Sequence, residues 1–209
     1  IDVLPLVPDQ APNVIGDKAG GGNVISANSS DGIYLAQITA SPGTVIQGNF
    51  IGTDPTGTTP IGNGIHVIRM NDASYGLISD NVISANLGDG IHSFGFDSHD
   101  NLITQNKIGT NAAGGQPMGN LGNGIFLDES SAIVDSNLIS ANLKSGLAVG
   151  GPEPPGTHTV VAGNLIGTNA AGTAGLGNIG AGITDGGTSD QIGGLNAGEG
   201  NVISGNAGA

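Results

Sequence analysis

The short segment SFGFDSHDN, residues 93–101, gathers residue types that proton-transfer chemistry uses. Asp97, His99 and Asp100 lie within four positions of one another, and an imidazole flanked by carboxylates can act as a general acid or base. Arg69, the only arginine of the chain, could neutralise a negatively charged substrate. These four residues are the candidate catalytic set. The alternative is that a turn rich in Asp, Ser and Asn needs such residues simply to close.

A second candidate site consists of rings at equivalent positions of successive segments. Alternation along strands predicts an outward column that contains Tyr34, His66, His92 and Phe126, followed by Ala148 and Thr184. Rings on a flat sheet can stack against sugars, so these four residues are a candidate glycan-binding platform. Cross-strand ring pairs also stabilise ordinary sheets, and the sequence leaves both interpretations open.

The sequence predicts no metal centre. His66 and His92 could share an ion, but no third ligand is evident from their positions. Asp54 stands where equivalent loops carry Asn111 and Asn169, so no column of carboxylates exists there. Weak surface binding of Ca²⁺ stays open on grounds of charge alone, and no other cofactor is expected.

Composition limits the classes of partner. The chain has 209 residues, with 17 acidic and 4 basic side chains and a net charge of −13. Such a surface repels phosphate backbones, which argues against nucleic acid as a partner. The apolar runs are too short to span a bilayer, so no membrane insertion is expected. We expect a secreted protein, extracellular or on the cell surface, with no cysteine to form disulfides.

A repeated phrase organises the chain. NVISANSSDGIYL at residues 23–35 returns as NVISANLGDGIHS at 81–93 and as NLISANLKSGLAV at 137–149. A second phrase, seen as NFIGT, NKIGT and NLIGT, alternates with the first. The asparagines that begin these phrases are Asn23, Asn49, Asn81, Asn106, Asn137, Asn164 and Asn201. Their spacing alternates between short and long units of 25 to 37 residues, which is typical of a solenoid.

Each unit contains three short β-branched islands separated by turn residues, and islands this short predict strands. The first column is Ile25, Ile51, Ile83, Ile108, Ile139, Ile166 and Ile203. The second, after a glycine, is Ile33, Ile65, Ile91, Ile125, Leu147 and Ile183. The third is Ile15, Ile46, Ile78, Ile103, Val134, Val161 and Ile192. The sequence therefore predicts an all-β fold, a parallel β-helix of about six to seven coils with three short strands per coil, in which the asparagines form a ladder.

These phrases, together with IGTNAAGT and the run from Ile192 to Asn206, resemble right-handed parallel β-helix repeat proteins of the pectate-lyase-like superfamily. The resemblance runs from Asn13 to Ala209 and implies right-handed coiling. It implies little about function, because one fold hosts many activities.

The segment at 93–101 is also similar to the YGFDPHE segment of alginate C5-epimerases. In that alignment Asp97 matches the aspartate, His99 the catalytic histidine and Asp100 the glutamate. Phe94 lies where that family has its catalytic tyrosine, and Ser98 replaces the proline. Because the phenol is lost, we expect no turnover of uronates at an enzymatic rate.

The ends of the repeat lead to the functional expectation. AGGGNVIS at 19–26 is echoed by AGEGNVIS at 197–204. Residues 1–12 are predicted to be a cap or docking strand and residues 13–209 a single β-helix domain. We expect a structural or adhesive solenoid whose copies associate end to end, or one that is part of a longer solenoid. The alternatives are a polysaccharide lyase or C5-epimerase and a glycan-binding β-helix.

A lateral contact is also open. The residues between each ladder asparagine and its isoleucine should face outward and form an apolar stripe that suits a lateral partner, a covering segment or another copy. The other interpretation is that the corner geometry tucks them inward. The stripe consists of Val24, Phe50, Val82, Lys107, Leu138, Leu165 and Val202.

Overall fold

The structure, a computed structural model, describes residues 1–3 and 11–208 and consists of three parallel seven-stranded sheets. The first sheet contains β1 (Asp2–Val3), β4 (Ile33–Ile38), β7 (Ile68–Ala73), β10 (Ile91–Phe94), β13 (Ile125–Asp128), β16 (Leu147–Gly150) and β19 (Ile183–Asp185). The second contains β2 (Val14–Ile15), β5 (Val45–Gln47), β8 (Leu77–Ser79), β11 (Asn101–Thr104), β14 (Ala132–Asp135), β17 (Val160–Ala162) and β20 (Gln191–Ile192). The third contains β3 (Val24–Ile25), β6 (Phe50–Ile51), β9 (Val82–Ile83), β12 (Lys107–Ile108), β15 (Leu138–Ile139), β18 (Leu165–Ile166) and β21 (Val202–Ile203).

Successive strands belong to different sheets, so every third strand stacks on its counterpart one coil earlier. The predicted right-handed parallel β-helix with three strands per coil is confirmed, with seven coils. Within the described residues, no helix has the length and apolar character needed to cross a bilayer.

Two of the three predicted inner columns are in the predicted register. The isoleucines of the third sheet pair from Ile25 through to Ile203, and the column of the second sheet pairs from Ile15 through to Ile192. Their side chains are buried except in the last coil. One coil cannot bury its apolar face alone, whereas stacked coils can.

The column of the first sheet differs at one coil. Ile68, and not Ile65, pairs with Ile33 and with Ile91. Ile68 is fully buried, whereas Ile65 is 48% exposed. The glycine that precedes the isoleucine does not mark the strand in this coil, because Val67 occupies the position that Gly32 and Gly90 occupy in the neighbouring coils. The strand therefore begins three residues later than the Gly-Ile pattern indicates.

The predicted asparagine ladder is continuous. Each member donates from its backbone N–H and its Nδ2 to Oδ1 of the next, as Asn81 does to Asn106 at 3.1 and 2.9 Å. The same two bonds link all seven residues from Asn23 to Asn201.

A second ladder, which sequence reasoning missed, follows the third-sheet strands, whereas the first ladder precedes them. It consists of Asn28, Asn63, Asn86, Asn120, Asn142, Asn178 and Asn206. Its members occur in two contexts, SAN and GN, which conceals the repeat. Most of these amides are buried and each bonds to its neighbours in the stack, so asparagine ladders satisfy polar groups at both ends of the third-sheet strands.

Protruding loops follow the third-sheet strand of every second coil. They span residues 53–60, 110–117 and 168–175, and each is closed by an antiparallel bridge, such as that between Thr53 and Pro60. The loops bond to one another along the axis, with Ala112 N donating to Gly57 O at 2.9 Å and Ala170 N to Gly114 O at 2.9 Å.

These loops cover the outward apolar stripe. A Cβ placed on Gly57, where φ is +65°, would lie 2.9 Å from Cε1 of Phe50, and one on Gly114 would lie 2.8 Å from Cδ2 of Leu138. Val82 and Leu138 are buried, while Val24 and Val202 in the end coils are exposed. The middle of the stripe is thus covered by loops of the same chain, and not left open for a lateral partner or another copy.

The N-terminal residues add a strand to the same molecule. Asp2 and Val3 pair in parallel with Tyr34 and Leu35, and the terminal amine of Ile1 donates to Gly32 O at 2.9 Å. The rest of the predicted cap or docking segment, residues 4–10, lies outside the described residues.

Candidate functional site: the outer face of the first sheet

The outward side chains of the first sheet form a column that differs from the prediction at one position. Register places Arg69 between Tyr34 and His92, and Phe126 follows His92. His66 therefore does not occupy the column predicted for it, because β7 begins at Ile68. We call Tyr34, Arg69, His92 and Phe126 the ring platform.

Arg69 joins the rings of two coils. Its guanidinium carbon lies 5.2 Å from the centroid of Tyr34 and 5.0 Å from that of Phe94, distances at which a cation is attracted to a ring face. Its Nη1 is 3.7 Å from Oδ2 of Asp31. Asn71 donates to the Tyr34 hydroxyl at 3.2 Å, which fixes that ring on the sheet.

His92 is the centre of the ring platform. Its imidazole stacks on Phe126 with a centroid separation of 4.9 Å and an interplanar angle of 21°, and it lies 5.2 Å from Phe94. Burial and the neighbouring imidazole of His66 lower the pKa of His92. The His92 ring is therefore neutral at physiological pH.

His66 reaches the same place from the segment before β7. Its Nε2 lies 3.3 Å from Nδ1 of His92, and the two rings meet edge to face at 4.5 Å. Its Nδ1 lies 3.3 Å from Oδ2 of Asp89, which in turn is 4.0 Å from Nδ1 of His92. The structure thus supplies the third potential ligand that the sequence did not reveal.

Asp89 is held in place by the next coil. Its Oδ1 accepts from the backbone N–H of Asn123 at 2.6 Å and from Asn123 Nδ2 at 3.0 Å. Burial alone would raise the pKa of Asp89, but His66 and the Asn123 backbone outweigh it and hold the pKa below its usual value. The carboxylate is therefore ionised, with Oδ2 directed towards the two imidazoles.

The candidate catalytic residues are in a different place. Asp97, His99 and Asp100 lie in the turn between β10 and β11, where His99 Nδ1 is 2.9 Å from Asp100 Oδ2. Arg69 points instead to the rings and carboxylate described above, on the face of the first sheet.

Much of this turn serves to close the coil. Buried Ser98 accepts from Ala73 N–H and donates to Phe94 O, and the Ser74 hydroxyl donates to Asp97 O. These contacts favour the structural interpretation of the turn, at least for Ser98 and the backbone of Asp97.

One tyrosine does lie beside His99. Tyr75, from the preceding coil, meets the His99 ring edge to face with centroids 5.5 Å apart. Sequence reasoning sought a tyrosine at Phe94 and missed this one, although Tyr75 precedes His99 by 24 residues, close to the length of a short coil. Phe94 itself packs in the first sheet with Arg69 and His92.

Comparisons of the chain with models of protein families, with curated proteins and with solved structures find no match. The fold therefore rests on the three sheets themselves, and the resemblance to alginate C5-epimerases has no support beyond the residues at 93–101.

Proposed function

We propose that this protein is an acidic structural β-solenoid of the extracellular space or cell surface whose copies stack end to end into filaments. The observation that carries the proposal is the repetition of the first coil in the last one, where Ile192 and Ile203 lie in the columns that begin with Ile15 and Ile25. Ile192 and Ile203 are each 47% exposed, whereas their counterparts in the preceding coil, Val161 and Ile166, are buried.

The first coil repeats the residues of the last coil in the third sheet, which supports stacking of a second copy. Val24 and Ile25 begin the third sheet, and Val202 and Ile203 end it with the same residues. In the third sheet, a second copy placed on the last coil would pair isoleucine with isoleucine, as all internal coils do in that sheet. Docking would bury apolar side chains and satisfy strand edges together.

Both asparagine ladders would continue across such a junction. Within the chain, Asn164 donates to Asn201 and Asn178 donates to Asn206. In the stacked pair, Asn201 would donate in the same way to Asn23 of the next copy, and Asn206 to Asn28. This junction is head to tail and does not close on itself, so it yields filaments and not dimers.

A matched pair of variants tests the proposal. Ile203→Asp places a charge on the end surface, and Ile133→Asp places the same charge on a lateral isoleucine that is also 47% exposed. We expect the scattering mass of the wild type and of Ile133→Asp to rise with concentration, with filaments visible by electron microscopy, and Ile203→Asp to stay monomeric. Because the net charge of −13 opposes association, salt should lengthen the filaments.

Wild-type protein that remains a monodisperse monomer at high concentration and high salt would refute the proposal. Equal loss of assembly in both variants would also refute it, because it would place the contact on the sides of the solenoid.

A carbohydrate-active role is the second candidate, and the pairing of Tyr75 with His99 is the observation that favours it. A phenol beside an imidazole and Asp100 provides groups for proton transfer at a uronate carbon. The test is an assay of alginate and pectate for unsaturated products and C5 inversion. We expect no turnover; activity that disappears in both His99→Ala and Tyr75→Phe would establish the second candidate in place of the first.

A further inference from the structure

We propose that His66, Asp89 and His92 form a binding site for a divalent transition-metal ion of the Zn²⁺ class. Each residue can offer one ligand atom, and the three atoms lie within 4.8 Å of one another. The site is independent of the filament, since it lies on the outer face of the first sheet and not on the end coils.

The spacing of the donors suits a small ion. Ligands about 2.0–2.1 Å from a tetrahedral Zn²⁺ lie about 3.3 Å apart. Nδ1 of His66 is 3.3 Å from Oδ2 of Asp89, and Nδ1 of His92 is 4.0 Å from the same oxygen. Small rotations of the two imidazoles would bring all three atoms around one centre without moving the strands.

Asp89 is oriented as a metal ligand usually is. Asn123 occupies Oδ1 with two hydrogen bonds, which leaves Oδ2 for the ion and fixes the plane of the carboxylate. The side chain of Asp89 is only 9% exposed, so its negative charge is poorly screened by water.

The histidines are similarly poised. Nδ1 of His66 is buried, and the atom that faces it is Oδ2 of Asp89 at 3.3 Å, as two ligands of one ion would face each other. His92 is held against Phe126, so its ring is restrained before any ion arrives.

The donor set determines the class of ion. Two imidazoles and one carboxylate suit Zn²⁺, Ni²⁺, Cu²⁺ or Fe²⁺, whereas Ca²⁺ and Mg²⁺ prefer oxygen ligands in larger numbers. Three protein ligands leave at least one coordination position for water or an external oxygen. The side chains of His66 and His92 are 22% and 15% exposed, so this position is reachable from solvent.

The experiment is a calorimetric titration of the chelator-treated 209-residue chain with Zn²⁺ and, separately, with Ca²⁺. We expect one Zn²⁺ per chain and no competition by Ca²⁺. His66→Ala and His92→Ala should each weaken Zn²⁺ binding at least about tenfold, the loss that follows even from removing an outer partner of a ligand. His158→Ala, which removes an imidazole outside the cluster, should bind as the wild type does.

A second measurement covers the case in which a histidine variant folds poorly. Zn²⁺ should raise the melting temperature of the wild type, because it binds only the folded state. Asp89→Asn keeps an oxygen for the Asn123 bonds but removes the charge, and it should lose most of this rise. The absence of saturable Zn²⁺ binding by the wild type, or binding that survives in Asp89→Asn and the histidine variants, overturns the proposal.

Discussion

Asn106 illustrates how much a single side chain of this solenoid does. Its Oδ1 accepts two bonds from Asn81, and its Nδ2 donates to Ile78 O, Thr104 O and Asn137 Oδ1 at 2.9 to 3.0 Å. Replacing this buried amide with alanine would leave donors and acceptors in two neighbouring coils without partners. Unsatisfied buried groups are more costly than the hydrogen bonds themselves are favourable.

We therefore expect Asn106→Ala to lower the free energy of unfolding by about 2–5 kcal/mol. Asn196→Ala is the control, since Asn196 is exposed and its side chain donates a surface hydrogen bond to Glu199; it should change stability by no more than about 0.5 kcal/mol. Urea unfolding followed by circular dichroism measures both. Equal stabilities of the two variants would show that the ladder does not contribute as its geometry indicates.

At the residue scale, the sequence revealed the first asparagine ladder but not the cluster for which we propose metal binding. Asn106 could be recognised because the residues around it recur at a fixed position of each unit. The cluster of His66, Asp89 and His92 could not, because Gly64-Ile65 matches the Gly-Ile pattern and shifts the predicted strand by three residues, which places His66 on the strand and not beside Asp89. Ile68 follows Asn63 by five positions, as Ile91 follows Asn86, so the second ladder was the signal that would have placed His66 beside Asp89.

At the scale of elements, Ile68 and Ile65 separate a buried strand position from an exposed loop position. Ile68→Ala opens a cavity in a fully buried column and should cost about 2–5 kcal/mol. Ile65→Ala, at a position that the sequence pattern favours for the strand but the structure leaves half exposed, should cost about 0.5 kcal/mol or less. Thermal or urea unfolding of the two variants distinguishes the two registers. If Ile65→Ala were the less stable variant, Ile65 and not Ile68 would be the buried strand residue.

The protruding loops give a prediction about pH. Asp54 Oδ1 accepts from the backbone N–H groups of Thr58 and Thr59, and Oδ2 accepts from the Thr56 hydroxyl. The bond from Thr59 and then that from Thr56 lower the pKa of Asp54 to about 2. Because the folded pKa lies below the usual value of about 3.9, this contribution is present above about pH 4 and is lost as pH falls through 2.

Asp54→Asn should keep the loop and remove its acid sensitivity, since Asn111 accepts the equivalent bonds in the next loop. An NMR titration of the Thr59 amide checks this: the wild type should show a midpoint near 2, and the variant should show none. A wild-type midpoint near 4 would mean that these hydrogen bonds are not formed in solution.

Strand positions and loop positions differ in how well the sequence predicts them, for a physical reason. Most inner strand positions carry apolar side chains, so the columns beginning at Ile15 and Ile25 are visible as repeats. The covering of Phe50 and Leu138 by loops depends on a contact between loops two coils apart. The sequence gives the loop lengths, but not the direction in which the loops fold.

At the scale of the whole molecule, the alternation of short and long units sets the true repeat at two coils. Loops at 53–60, 110–117 and 168–175 touch one another only because a coil without a loop separates them. Coils are about 4.8 Å apart, so the loops are spaced at about 9.6 Å along the axis. Two loop-bearing coils placed next to each other would bring Gly57 and Ala112 into each other's space.

Two deletions test this repeat. Removing residues 81–136 joins Asp80 to Asn137 and keeps both ladders continuous. The loop after Phe50, which now contacts the NAAG turn at 111–114, would instead contact the identical turn at 169–172, again two coils away. We expect this five-coil variant to unfold cooperatively and to be about 9.6 Å shorter by small-angle scattering.

Removing residues 81–105 joins Asp80 to Asn106 and deletes fewer residues, yet it makes two loop-bearing coils adjacent. We expect it to be the less stable of the two, because its loops must leave the stripe and expose apolar side chains that they now cover. If instead the one-coil deletion were the more stable variant, the loops would be passive insertions and one coil, not two, would be the structural unit of this solenoid.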